Sequence, residues 1–186
     1  MTDAYTAWEH AKQVGTADDA ASYFAKGPKW TYLGDGNNVA HSLVLAAARL
    51  GARITLACPE GYDPDPKIIE GAKSMHPLGA DAVEVTRNAT AAISGASMVY
   101  TDTWVSMGQE GDRAGLSIED IFGPYQVNDA LMKHAADDAV FMHCLPAIPG
   151  QEMTAEVLRG GRSIVLDQAE NRLWTVQALL ARWVFA

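Results

Sequence analysis

Residues 29–58 decide the fold, and they read KWTYLGDGNNVAHSLVLAAARLGARITLAC. The apolar run Trp30–Leu33 predicts a buried strand, and the glycines that follow it predict a tight turn. The Ala- and Leu-rich segment Val39–Leu50 predicts a helix, which Gly51 would end in the left-handed conformation. A second apolar run, Ile54–Cys58, predicts the next strand. A buried strand, a helix and a second buried strand in this order predict a parallel βαβ unit.

The same alternation continues to the end of the chain. Short apolar runs predict four more strands, at Ala82–Thr86, Met98–Thr101, Val140–His143 and Ser163–Leu166. Residues 168–184 predict a closing helix. Strands that are apolar throughout are typical of a sheet buried on both faces. We therefore expect a doubly wound, mostly parallel, Rossmann-like α/β fold with helices on both faces of the sheet. We divide the chain into an N-terminal helix and connector at residues 1–28 and one α/β domain at residues 29–186.

Composition limits the classes of partner. The chain has 186 residues, 48% of them hydrophobic, and a net charge of -9 with no block of Lys or Arg. DNA, RNA and anionic membranes need a positive surface, so a small polar ligand or another protein fits better. The first residues do not resemble a signal peptide, and no apolar run is long enough to cross a bilayer. Two cysteines without metal-site spacing predict free thiols in the cytoplasm.

Unusual polar residues follow several of the predicted strands. Ligands of doubly wound sheets bind outside the carboxyl ends of the strands. Asp102–Gly108 offers a carboxylate, a hydroxyl and a backbone N–H within seven residues. An Asp suits an ammonium, while a Ser and a backbone N–H suit a carboxylate. This loop therefore indicates a zwitterionic ligand such as an amino acid, with an ordinary capped loop as the alternative.

The turn Gly34–Asn38 allows three interpretations. It resembles the dinucleotide motif GxGxxG, with Glu60 in place of the ribose-binding acid, but Val39 stands where the third glycine belongs. The turn could instead be purely structural. In the third interpretation, Asn37 or Asn38 contacts a ligand that is not a nucleotide.

His143-Cys144 invites the hypothesis of a thiolate nucleophile. Neighbouring residues of a strand point to opposite faces, so we do not expect a Cys–His dyad or covalent catalysis. Leu145-Pro146 is a candidate cis peptide. Arg172 would lie in the first turn of the closing helix, where the helix dipole disfavours a cation. It is therefore predicted to serve a ligand or a neighbouring domain, with an exposed surface Arg as the alternative.

Four motifs together resemble the ornithine carbamoyltransferase family, and they occur in the family's order. They are GDGNNVAHS at 34–42, TDTWVSMGQE at 101–110, HCLP at 143–146 and AENR at 169–172. The resemblance covers residues 29–184. It implies transfer of a carbamoyl group from carbamoyl phosphate to the δ-amino group of L-ornithine, giving citrulline and phosphate, as in arginine biosynthesis and the urea cycle. It implies no cofactor, and the spacing of the remaining histidines predicts no metal site.

The resemblance also assigns residues to the substrate. Asn38 and the backbone of Met107 would hold the α-carboxylate of ornithine, and Asp102 and Ser106 its α-amino group. Near the δ-amine and the carbamoyl group it would place Cys144 and the carbonyl of Leu145. Arg172 would reach carbamoyl phosphate. It implies catalytic roles for Cys144, Arg172 and Asp102.

The family's Ser-x-Arg-Thr and His-Pro-x-Gln motifs, which bind carbamoyl phosphate, do not occur in this sequence. We therefore expect the ornithine-binding half alone, with little or no activity, and carbamoyl phosphate supplied through a missing domain or a partner chain. The closing helix and residues 2–12 would pack on that half. Trp8, Trp174 and Trp183 are the apolar candidates, and without a partner they would favour a homo-oligomer. The alternatives are a stand-alone amino-acid-binding module and a nucleotide-binding Rossmann module.

Overall fold

The structure, a computed structural model, describes residues 1–105 and 117–185. Its strands are β1 (Lys29–Leu33), β2 (Arg53–Ala57), β3 (Val83–Thr86), β4 (Met98–Thr101) and β5 (Val140–His143). They form one sheet in the order β3-β2-β1-β4-β5, and every neighbouring pair is parallel. In this doubly wound order the direction of winding reverses between β1 and β4. The predicted α/β fold is confirmed.

Helices precede, connect and follow the strands. They are α1 (Thr2–Gln13), α2 (Ala20–Ala25), α3 (Asn38–Leu50), α4 (Pro66–Met75), α5 (Ala89–Ile93), α6 (Ile118–Phe122), α7 (Asp129–Met132), α8 (Ala155–Arg159) and α9 (Val165–Val184). Local chemistry sets the ends of α3, because Asn37 caps its start and Gly51 ends it at φ 88°. Pro66 opens α4 at its first position, as predicted. Among these described helices, none has the length and apolar content needed to span a membrane.

Two hydrophobic cores lie on opposite faces of the sheet because successive strand residues point to opposite sides. On one face Tyr32 of β1 belongs to the core that contains Val44 of α3. On the other face Val99 of β4 and Phe141 of β5 share a core with Ile93 of α5. All of these side chains are almost completely buried. A sheet covered on both faces leaves its strand ends as the natural place for a ligand.

The predicted sixth strand at Ser163–Leu166 is wrong. Ser163 forms only an isolated parallel bridge with Phe141, and α9 already begins at Val165. Leu166 is 77% exposed, whereas a strand buried on both faces would enclose it. The cause is the shortness of the run, because three apolar residues after a serine fit a strand and a first helical turn equally well.

Helix α1 is tied to α9 by polar side chains. Asn171 of α9 donates to Thr6 Oγ1 at 3.1 Å and to Glu9 Oε2 at 2.7 Å. The hydroxyls of Thr2 and Thr175 lie 2.7 Å apart. These hydrogen bonds fix the position of α1 against α9.

Away from α1, α9 exposes a row of apolar side chains. Leu173, Val176, Leu180 and Trp183 recur at helical spacing and are each at least half exposed, whereas Trp174, also half exposed, lies on another side of α9 in a pocket with Met1 and Tyr5. The expectation that Trp8 belongs to this surface is wrong. Trp8 is partly buried in a small cluster with Ala11, Ala17 and Tyr23, because the connector folds back over α1.

Candidate active site

The parallel register brings three chemically distinct loops together. Leu33 of β1 is paired with Thr101 of β4, and Thr101 is paired with His143 of β5. The next residues, Gly34, Asp102 and Cys144, therefore leave the sheet from adjacent strand ends. These ends flank the point where the winding of the sheet reverses, which is the usual ligand site of such folds.

The glycine turn after β1 packs closely against the backbone of residues 62–64. A Cβ on Gly36 would collide with the backbone of Asp63 and Pro64. The N–H of Gly36 donates to the carbonyl of Tyr62 at 2.8 Å. In the dinucleotide motif the second glycine admits a pyrophosphate, whereas here the chain's own backbone fills that space. This packing favours a structural role for the glycines over the nucleotide interpretation.

Asn37 joins the turn to the acidic loop. Its Oδ1 accepts from the N–H groups of Val39 and Ala40 at 2.9 and 3.2 Å and so caps α3. Its Nδ2 donates to Asp102 Oδ2 at 2.9 Å. Asn38, the residue that the resemblance singles out, is exposed at the first position of α3. From the sequence, Asn37 was predicted only as a possible ligand contact, and its bond to Asp102 was not expected.

Asp102 has a hydrogen-bond donor at each carboxylate oxygen. Oδ2 accepts from Asn37, and Oδ1 accepts from Cys144 Sγ at 3.0 Å. The residue is only 7% exposed. A buried carboxylate is costly without partners, and the two donors lower that cost while holding the group in one orientation. Each oxygen keeps a further lone pair that could accept from an ammonium group.

Cys144 is placed as a hydrogen-bond donor and is poorly suited to act as a nucleophile. Burial, followed by the hydrogen bond to Asp102 and the charge of that carboxylate, raises the pKa of the Cys144 thiol to about 12. At pH 7 only about one thiol in 10⁵ would then be ionised. The absence of a Cys–His dyad is confirmed, since the imidazole of His143 bonds elsewhere.

His143 is fully buried behind the Cys144 turn. Its Nδ1 accepts from the N–H of Leu145 at 2.9 Å, so a neutral imidazole carries its proton on Nε2. That nitrogen lies 3.3 Å from Glu152 Oε1, and both side chains are 0% exposed. The contact is electrostatic, because its angle falls outside good hydrogen-bond geometry. Glu152 Oε1 also accepts from the N–H of Ile148 at 2.8 Å.

The turn after β5 is therefore held at both its start and its end. The peptide between Leu145 and Pro146 is cis, as predicted. Glu152 was missed by the sequence analysis, because no residue pattern connects it to His143.

Gln168 of α9 forms hydrogen bonds to β4, β5 and α1 next to the site. Its Oε1 accepts from the N–H of His143 at 3.0 Å, and its Nε2 donates to the hydroxyl of Tyr100 at 3.0 Å and to Asp3 at 2.7 Å. Burial is the main cause that raises the pKa of the Tyr100 phenol above its ordinary value. The sequence analysis missed Gln168 as well.

Arg172 lies one turn beyond Gln168 and is exposed. The argument from the helix dipole is wrong, because α9 begins at Val165 and Arg172 falls in its third turn. Within residues 1–105 and 117–185, no acidic side chain forms an ion pair with its guanidinium.

Two of the predicted site residues, Ser106 and Met107, lie outside the described residues. The segment before them ends on a buried stack, in which Trp104 lies parallel to Phe122 with ring centroids 5.7 Å apart. Tyr62 meets the same Phe122 ring edge-on at 4.8 Å. Among the described residues, no group of three or more His, Cys, Asp or Glu side chains could hold a metal ion.

The comparisons with known proteins agree with this geometry. Residues 26–183 match the family model for the aspartate/ornithine carbamoyltransferase Asp/Orn-binding domain. An ornithine carbamoyltransferase from Thermococcus kodakarensis is 47% identical over 156 residues, which are 84% of this chain and 49% of that protein. The solved ornithine carbamoyltransferase of Pyrococcus furiosus superposes with a TM-score of 0.82 at 41% identity, over 97% of this chain and 55% of that one.

An enzyme of the same name from Giardia lamblia superposes with a TM-score of 0.81 at 29% identity. The chain spans about half the length of the curated relatives it matches.

Proposed function

Because the chain belongs to the aspartate/ornithine carbamoyltransferase family, a family of transferases, we propose that it forms the L-ornithine-binding half of an ornithine carbamoyltransferase active site. The reaction is transfer of the carbamoyl group of carbamoyl phosphate to ornithine, giving citrulline and phosphate. The observation that carries this proposal is the Asp102 carboxylate, held by Asn37 and Cys144 at the ends of three adjacent strands.

Asp102 is the anchor for a cationic end of the substrate. An ammonium group at this carboxylate would form charge-assisted hydrogen bonds, each contributing about 1.5–3 kcal/mol. Ser106 would share the α-amino group with it. On the other side of the α-carbon, the side chain of Asn38 and the backbone N–H of Met107 would hold the α-carboxylate. This arrangement recognises an α-amino acid by both of its charged groups.

Cys144 and Leu145 would lie at the reacting end of the substrate. The δ-amine of free ornithine has a pKa near ~10.4, so it must lose a proton before it can attack. A neutral thiol and the Leu145 carbonyl can orient the resulting amine without forming a covalent intermediate. The amine nitrogen then bonds to the carbamoyl carbon as the bond from that carbon to the phosphate oxygen breaks. Positioning and charge stabilisation supply the catalysis.

Arg172 would complete the site from α9 by meeting the phosphate or carbamoyl oxygens of carbamoyl phosphate. A guanidinium suits this task because it presents several donors to an oxyanion. The chain carries neither Ser-x-Arg-Thr nor His-Pro-x-Gln. We therefore propose that carbamoyl phosphate is bound by a further domain or a partner chain, and that this chain alone has little or no transferase activity.

The exposed apolar row of α9 is the surface that we propose for contact with that second half. Leu173 and Trp183 of this row are 54% and 75% exposed, and a row of exposed apolar side chains is typical of protein contacts. Trp174, 51% exposed, lies on another side of α9 beside Met1 and Tyr5. Without the second half, the same row would favour self-association of the chain. A strictly monomeric sedimentation profile at high concentration would contradict that expectation.

The direct test is calorimetric titration of the chain with L-ornithine, with and without carbamoyl phosphate, and with NAD as a control ligand. We expect weak ornithine binding that falls about 10- to 100-fold in Asp102→Asn, the loss expected for one charge-assisted interaction. Asp81→Asn is the matched control, because it removes the same charge from an exposed position that precedes β3 at the opposite end of the sheet.

The outcomes separate the candidate functions. Weak ornithine binding that depends on Asp102 supports the proposal, whereas tight ornithine binding without any partner would favour the stand-alone amino-acid-binding module. A gain in affinity with carbamoyl phosphate would contradict the proposal that a second half binds carbamoyl phosphate. NAD binding in place of ornithine would support the nucleotide-binding alternative. Citrulline formation by the pure chain at an ordinary enzyme rate, of order ~10 per second, would refute the proposed dependence on a second half.

A further inference from the structure

We propose that Asn37 is a positioning residue, whose side-chain amide holds the Asp102 carboxylate in the orientation that receives the substrate's ammonium group. The inference rests on the proposed function for its ligand, but its geometric part concerns only this chain. It gives Asn37 two separate tasks, of which capping α3 is one and orienting the acidic anchor is the other.

The orientation of the Asn37 amide follows from its partners. Oδ1 lies 2.9 and 3.2 Å from the backbone N–H groups of Val39 and Ala40, which can only donate. The oxygen must therefore face the helix, and the NH₂ group must face away from it. Asp102 Oδ2 lies 2.9 Å from that nitrogen. The helix cap thus determines which end of the amide meets the carboxylate.

Asp102 in turn depends on its two donors. Asn37 binds Oδ2 and Cys144 binds Oδ1, so rotation of the carboxylate plane would break one bond or both. The rest of the residue is buried, and an unpaired carboxylate in such a place is costly. If the Asn37 bond is lost, Oδ2 of Asp102 lacks that donor, and rotation of the carboxylate toward water and away from Cys144 becomes more favourable.

The capping task alone does not require an asparagine. Ser and Asp cap helices about as well as Asn, and within this chain Asp19, Asp65 and Thr154 cap other helices. Asp lacks a donor for a second carboxylate, and Ser has a single hydroxyl oxygen close to its backbone, whereas Asn carries its acceptor and its donor on two separate atoms that face the helix and Asp102 at once. Asn128 caps α7 through Leu131 N and, like Asn37, is partly buried. It provides a matched control for a change of capping residue.

The first readout is independent of ornithine. Asp102 is a cause of the raised pKa of Cys144, so a carboxylate that turns away lets the thiol ionise more readily. We compare the rate at which iodoacetamide modifies Cys144, followed by peptide mass spectrometry, in the wild type and in N37S, D102A, N37S/D102A and N128S. Each unit by which the thiol pKa falls raises the thiolate fraction at neutral pH about tenfold, and it raises the modification rate by less than that because a less basic thiolate is a weaker nucleophile.

We expect N37S to raise the rate severalfold toward that of D102A, the double variant to match D102A, and N128S to match the wild type. Equal rates in N37S and the wild type, or independent effects of N37S and D102A, would overturn the proposal. The second readout is ornithine affinity by calorimetry, which should fall about tenfold in N37S and stay constant in N128S. If the wild type binds no ornithine, the proposed function fails while the thiol comparison still decides the role of Asn37.

Discussion

Replacing Gly36 with Ala should destabilise the chain, although Gly-to-Ala changes often stabilise proteins. The ideal Cβ of residue 36 would lie closer to the backbone of Asp63 and Pro64 than real Cβ contacts allow. Backbone cannot rotate away as a flexible side chain can, so either the glycine turn or residues 62–64 must shift. Inserting one carbon into such a tight contact costs about 1–3 kcal/mol.

Gly71→Ala is the control, with the opposite expected sign. Gly71 lies inside α4, and a Cβ there would meet nothing within 4 Å. Because Ala loses less backbone entropy than Gly in a helix, this variant should gain about 0.5–1 kcal/mol.

Urea unfolding and thermal unfolding, both followed by circular dichroism, measure the stability of both variants. At about 2–4 °C per kcal/mol for a chain of this size, the melting temperature of Gly36→Ala should fall by about 2–12 °C, and that of Gly71→Ala should rise slightly. If Gly36→Ala were as stable as the wild type, the close approach of residues 62–64 to the turn would be wrong. The structural interpretation of the glycines would then lose its support.

Three further perturbations test other contacts. Arg87→Met removes an ion pair in which two guanidinium nitrogens bond to Asp63. Because these side chains are 46% and 42% exposed, the free energy of unfolding in urea should fall by no more than about 1 kcal/mol, and by less in 1 M salt. Glu152→Ala leaves fully buried His143 without its acidic partner, so the free energy of unfolding should fall by about 1 kcal/mol or more. A smaller loss would contradict a stabilising contact between these two side chains. Finally, burial raises the pKa of both cysteine thiols to about 12. A raised pKa stabilises the fold below the ordinary thiol pKa of ~8.5, and this stability is lost as pH rises toward 12, so the urea midpoint should fall steadily above pH ~9. A flat midpoint from pH 8 to 11 would refute this.

Much of the fold could be predicted because it rests on local signals. Met98–Thr101 and Val140–His143 were predicted with the bounds that the structure has, since each is a short, mostly apolar run rich in residues that favour strands. The start of α4 at Pro66 and the end of α3 at Gly51 also follow from backbone chemistry that one or two residues determine. The sixth strand failed because its apolar run is too short to show a period.

The site divides in the same way. The strand-end position of Asp102 and Cys144 followed from the sequence once the strands were recognised, because parallel strands end at one edge. The partners of these residues did not follow. Asn37 was predicted only as a possible ligand contact, and its bond to a carboxylate 65 positions later depends on the register between β1 and β4. Glu152 and Gln168 carried no recognisable pattern at all.

Sequence alone therefore determined the α/β class, the five strands of the sheet in their order along the chain, the family and the loops that carry the chemistry. These follow from hydrophobic periodicity and from motifs that are contiguous in the chain. Only the tertiary structure decided which side chains meet: Asn37 with Asp102 and Asp102 with Cys144 through hydrogen bonds, and His143 with Glu152 through a close electrostatic contact. The physical reason is range, because a hydrogen bond requires its two atoms to come within about 3 Å, and between distant residues only the packing of the sheet and helices sets that distance.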